Sequence, residues 1–193
     1  VTQEASVDLP ALLEQTIAST GKVVAGVRPD QLAHSTPCTE WNVRALLNHL
    51  IGVAESFSHV GEGKPISPPD PRADYFEGDG YAAAYESATS RLLAAWRKPG
   101  ALDAPITLPI GDVPGSVGAT INFLDLLVHG WDLAKATGQD ATLEAALAEP
   151  ALELARGFVT DDIRGRGAVG PEVPVPSGAG AGERLIGFMG RTP

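Results

Sequence analysis

The sequence predicts a mainly helical bundle, and three observations carry that prediction. Apolar residues return at helical spacing in five separate segments. The stretch with most strand character, Ile106-Thr107-Leu108-Pro109-Ile110, is too short to define a sheet and reads as a strand or hairpin arm. A hydrophobic content of 44% in 193 residues supplies one sizeable core rather than two large ones. A single domain over residues 1–193 is expected, with an irregular segment from about 165 to 193 packed on the bundle.

The elements follow in order. A first helix opens with Asp8 as its cap and Pro10 in its first turn, then carries Ala11, Leu12, Ile17 and Val23. A second is expected from Thr39 or Glu40, because Val43, Leu46, Leu47, Leu50, Val53, Ala54 and Phe57 share one face. The prolines and glycines between Gly61 and Gly80 predict a long loop, a length more often functional or mobile than inert. Tyr81 to Trp96 forms a third helix, ended by Pro99-Gly100. Ile121 to Gly138 lies in a fourth, Leu143 to Phe158 in a fifth, and the Pro and Gly density rises from Gly165.

Charge and composition exclude several classes of partner. With 14 basic and 24 acidic residues the net charge is −10, which repels nucleic acid phosphates and anionic lipid. Cys38 is the single cysteine and cannot form an internal disulfide, as fits a reducing compartment. No apolar run reaches the ~18 residues of a membrane span, and Val1-Thr-Gln-Glu shows no signal-peptide pattern. A cytoplasmic protein, monomer or homodimer, is expected.

The fourth helix carries an anomaly. On a wheel of ~100° per residue, Gly118, Asn122, Asp125, His129, Asp132 and Ala136 fall in one strip about 80° wide, while leucines and other apolar residues fill the rest. A helix apolar almost all round is usually buried, so these polar groups need partners. Asp125 and His129, one turn apart, suit two ligands of one metal ion, and the same spacing also suits a buried hydrogen-bonded pair. Of the four histidines, His34 and His59 lie off any interior face. His49 sits at the edge of the apolar face of the second helix, beside Asn42 and Ser56, with Ala45 and Gly52 as small neighbours that leave room for a cavity. His49, Asp125 and His129 would together form a two-histidine, one-carboxylate site with an open coordination position.

Other residues carry less. Asp132 either orients a ligand imidazole or pairs with Arg44; these two and Asn42 complete the surroundings of the site. Cys38 precedes His49 by 11 residues, ~16 Å along a helix, so it reads as a packed or turn cysteine rather than a ligand. The run Gly115-Ser116-Val117-Gly118 is not a nucleophile elbow. Trp41, Trp96 and Trp131 read as core or bundle-edge aromatics.

Three blocks also carry a resemblance: Thr36-Pro37-Cys38-Thr39-Glu40-Trp41-Asn42-Val43-Arg44-Ala45-Leu46-Leu47-Asn48-His49-Leu50, then Leu126 to Ala134, then Gly187-Phe188-Met189-Gly190-Arg191-Thr192-Pro193. They resemble an actinobacterial metal-binding family of the DinB-like superfamily, which includes the N-terminal domain of mycothiol-dependent maleylpyruvate isomerase. The resemblance implies a DinB-like four-helix bundle with additional short elements, and a divalent metal on His49, Asp125 and His129: zinc first, nickel or iron behind it. The usual carboxylate of the family is Glu, so Asp125 shortens the reach by one methylene, and Asn42 stands where Asp is common.

The chemistry implied is that of a low-molecular-weight thiol, mycothiol or bacillithiol, held as thiolate and transferred to a small electrophile. The further C-terminal domain of the isomerase is not expected here, so thiol S-transferase chemistry is the broader expectation and isomerase activity the narrower. The competing class is a non-catalytic metal-binding or interaction protein of the same fold.

Overall fold

The computed structural model describes residues 7–39, 41–62, 64–70, 72–109, 111–165, 167 and 169–193. Helix α1 (Leu9–Ala25) starts where the Asp8 carboxylate accepts the Ala11 N–H at 3.1 Å, with Pro10 in the first turn. It joins α2 (Val43–Phe57), α3 (Tyr81–Trp96) and α4 (Gly115–Thr137) in a four-helix bundle. Both α1 and α2 pack on α3 and on α4, so the core lies where all four inner faces meet. Phe123, Leu126, Leu127, Leu46, Leu50 and Trp96 fill it. Among the described residues no helix is long and apolar enough to cross a membrane.

Helix α4 has little choice but to be central, since it has no wide polar face to give to solvent. It approaches α1 closely at Gly130, where a Cβ would stand 2.4 Å from Thr20 Oγ1. That hydroxyl donates to the Leu126 carbonyl at 3.0 Å, closing the contact with a hydrogen bond. Helix α5 (Ala145–Phe158) packs against α4 and α1, and α7 (Ala181–Phe188) against α5. Between them lies the short α6 (Asp161–Gly165). The segment after 165, expected to be irregular and draped on the bundle, thus carries one helix of its own, with Leu185 and Ile186 in the core.

The expected strand arm is half of a hairpin. Strand β1 (Pro105–Leu108) pairs antiparallel with β2 (Gly111–Pro114), Ile106 opposite Val113, and Ile110 lies outside the described residues. The long loop is fastened to the bundle and the hairpin at two points. Ile66 N–H donates to the Thr107 carbonyl at 2.9 Å, and Tyr75 N–H to Asn48 Oδ1 at 2.7 Å. Gly52, read from sequence as open space beside His49, is instead covered by this loop: a Cβ there would meet Pro69 and Tyr75 at 2.7 Å.

Helix α2 starts later than expected, at Val43 rather than at Thr39 or Glu40, the latter outside the described residues. Side-chain chemistry decides the boundary. The Thr36 hydroxyl lies within hydrogen-bond reach of the Cys38 and Trp41 carbonyls (3.0 and 2.8 Å), Trp41 N–H donates to the Cys38 carbonyl, and Ser35 bridges Asn42, so the described residues between Ser35 and Asn42 close as a turn. Asn42 then caps α2, its Oδ1 accepting from Ala45 N–H at 2.9 Å. Its part in the site is therefore indirect, as the residue that aims the helix carrying His49. Replacing Asn42 by Ala should cost about 1 kcal/mol in chemical denaturation, while leaving metal content per folded chain unchanged. A loss of metal without a loss of stability would assign Asn42 to the site itself.

Candidate metal centre

Helices α2 and α4 bring His49, Asp125 and His129 together in the bundle interior. His49 Nε2 lies 3.1 Å from Asp125 Oδ1, His129 Nε2 lies 3.5 Å from the same oxygen, and the imidazole centroids are 4.9 Å apart, edge to face. One donor atom from each of the three lies within 4.8 Å of the others. The Trp41 indole covers the pair, its centroid 4.4 Å from His49 and 5.6 Å from His129, so this bundle-edge aromatic is a wall of the site.

The arrangement fits a cation on two grounds. Asp125 Oδ2 is buried with no hydrogen-bond partner among the described residues, a costly state for an ionised oxygen. Further, ionised Asp132 only accepts, so His129 Nδ1, 2.9 Å from Asp132 Oδ2, is the donor. In the neutral ring Nε2 is then a lone pair facing the Asp125 carboxylate. Two acceptors so placed call for a proton or a metal ion between them. Burial alone would lower the His49 pKa, but the Asp125 charge and hydrogen bond outweigh it and hold it above the ordinary 6.5. Burial would likewise raise Asp125; His49 foremost, with His129, reverses this and leaves it below the usual carboxylate value.

Behind His129 stands a second cluster that sequence reasoning did not assemble. Asp132 is fully buried and takes Arg191 Nη2 at 2.9 Å on Oδ2 and Arg191 Nε at 3.3 Å on Oδ1. Its partner is thus Arg191 and not Arg44, which pairs with Asp74 at 2.6 Å and lies over the Phe76 ring, away from the site. Cys38 Sγ donates to Asp132 Oδ2 at 3.2 Å and lies 3.6 Å from His129 Nδ1. The ~16 Å separation expected for Cys38 assumed a helix running from Cys38 to His49; the turn at 35–42 folds the thiol back against α4 instead. Burial, then Asp132, pushes the Cys38 thiol up to about 12, with Arg191 offsetting only part.

A cavity of about 150 Å³ reaches Asp125, His129 and Arg191 between α4, α5 and the segment after α7. Two larger clefts of about 510 Å³ lie elsewhere and contain none of His49, Asp125 or His129. Because Asp132 is wholly buried, Arg191→Met should destabilise the protein by about 3–5 kcal/mol in denaturant titration, with Arg191→Lys falling between. A cost below 1 kcal/mol would mean that Asp132 takes up a proton and needs no cation.

Residues 13–134 match the family described as the mycothiol maleylpyruvate isomerase N-terminal domain, a span holding His49, Asp125, His129 and Asp132 but not Arg191. Two uncharacterized proteins from two strains of Mycobacterium tuberculosis are 37% identical over 171 residues, 88% of this chain and 90% of each relative. Crystal structures of the mycothiol-dependent maleylpyruvate isomerase and of a mutant of it superpose with a TM-score of 0.62, covering 89% of this chain and 77% of theirs. At 16% and 17% identity that likeness concerns the fold, and it bears out the DinB-like helical bundle. By the span of the family match and the identity of its mycobacterial relatives, this chain belongs to the mycothiol maleylpyruvate isomerase N-terminal domain family.

Proposed function

We propose that the protein is a metal-dependent transferase or isomerase that uses a low-molecular-weight thiol of the mycothiol type on a small electrophile. His49, Asp125 and His129 would hold the metal, zinc first and nickel or iron behind it. The observation that carries this reading is the half-buried Asp125 carboxylate, with one oxygen facing two imidazole nitrogens and the other buried and unpartnered. A divalent cation on two neutral imidazoles and one carboxylate keeps about one unit of positive charge, which lowers the pKa of a thiol reaching it.

The side chains of the protein do the rest. Asp132 holds the Nδ1–H of His129 and so fixes which nitrogen faces Asp125. Burial would raise the Asp132 pKa, but the hydrogen bond from His129 and then Arg191 outweigh it and hold the carboxyl below its usual value. Trp41 over the two imidazoles and the apolar neighbours of the cavity lower the local polarity, which strengthens the charge interactions beside them. Cys38, held protonated as a donor to Asp132, does not serve as nucleophile, which leaves that role to a thiol from outside.

Elemental analysis should find close to one divalent metal per chain, lost in His49→Ala and in His129→Ala; full occupancy in both variants would remove the proposed ligand set. The pH dependence has a sign. Metal requires neutral imidazole, and His49 stands raised, so occupancy should start to fall at a higher pH than for a free histidine. In chelated protein the raised His49 works the other way: its contribution to stability is complete below the ordinary 6.5 and is lost as pH rises through the raised value. Melting temperature against pH, with and without chelator, should therefore show opposite slopes near neutrality; parallel slopes would separate His49 from the metal.

Calorimetric titration with mycothiol in buffers of different ionisation enthalpy tests the thiol. With an ordinary thiol pKa of about 8.5, close to one proton should be released per thiol bound at pH 7 by holo protein, and little by metal-free protein. Metal retention without thiol binding would favour the non-catalytic metal-binding alternative.

A further inference from the structure

The small cavity beside Asp125 and His129 adjoins a larger groove, and Ile121, Phe158 and Ile163 line both. Ile121 precedes Asp125 by one turn of α4, so the shared wall stands ~6 Å along the helix axis from the carboxylate. The groove holds about 410 Å³, within the range of small-molecule sites. Its other walls come from Phe57 of α2, Ile66 and Pro69 of the long loop, and Leu108 of the hairpin.

Its chemistry is one-sided. Among the described residues that line it, Ser67 alone carries a polar side chain, and none is ionisable. The inner cavity carries one cation among its lining residues, Arg191, which already donates to Asp132, to the Met189 carbonyl and to Cys38 Sγ. A carboxylate held between these walls would lose its water and gain no counter-charge from them. The net charge of −10 on the chain works in the same direction at longer range.

We infer that the electrophile is an uncharged, apolar molecule of about the size of a substituted arene, bound in this groove with its reacting end in the cavity at Asp125 and His129. The inference rests on the thiol-transfer reading and names its substrate class. It also means that the part of the substrate held in the groove carries no acidic group, because recognition of an acid there needs a cation that the groove walls do not offer.

The test compares two matched, unreactive probes, 1,3-dinitrobenzene and 3,5-dinitrobenzoate, by equilibrium dialysis against the holo protein. The neutral arene should bind at least about tenfold more tightly than the benzoate. In Ile163→Lys the order should invert, and in Ile163→Trp, which fills the groove, arene binding should be lost. Metal content and the denaturation midpoint serve to show that each variant is folded with its centre intact. Equal or tighter binding of the benzoate by the wild-type protein, or no binding of either probe, would overturn the inference, as would arene binding that both variants retain. Neither probe needs a thiol, so a failed mycothiol titration with intact arene binding would sink the thiol chemistry and leave the apolar groove standing.

Discussion

The buried carboxylate of Asp132 is the point on which the site depends. Removing a carboxylate from water costs several kcal/mol unless its oxygens are met by donors. Here Arg191 supplies two N–H groups, His129 one, and Cys38 its S–H. Those donors come from three places: the turn before α2, α4 itself, and the segment after α7. Satisfying one anion therefore docks both flanking segments onto the central helix and, in the same act, sets the orientation of the His129 ring.

The polar strip of α4 is then a series of cross-links, each to a different neighbour. Asn122 accepts from the Trp96 indole of α3 at 2.8 Å, Asp125 meets His49 of α2, and Asp132 meets Arg191. The apolar residues around the strip give the bundle its cohesion but little direction, since burial of hydrocarbon is indifferent to register. Directional bonds at three levels of one helix specify which neighbour stands where.

Much of this was legible in the sequence, for identifiable reasons. Helical period and end signals marked α3 at Tyr81 and Trp96, and Asp8-Leu9-Pro10 marked the start of α1, because those signals are local. The convergence of His49, Asp125 and His129 was legible because a polar residue on an apolar helix face must meet something on the facing helix. The turn at 35–42 was not, since Thr36 bonds carbonyls that a wheel assumes to be helical, and the error carried over to Cys38. Arg191 was out of reach for another reason. It lies 59 positions from Asp132 and no period links them, although the demand of a buried aspartate for a cation was itself readable. Gly52 failed through tertiary override: a gap on one helix was room for a loop.

The contact between Arg191 and Cys38 spans 153 positions of chain. Closure of so long a loop comes late in folding, because its entropic cost precedes any reward. On a ribosome, Asp132 emerges well before Arg191 does, and until then it has His129 and Cys38 as donors but lacks its cation on an otherwise apolar α4. The nascent bundle is thus kept open at one seam until the last partner has been synthesised, and a chain cut short anywhere before Arg191 would carry that exposed seam as a mark for the cell's quality control.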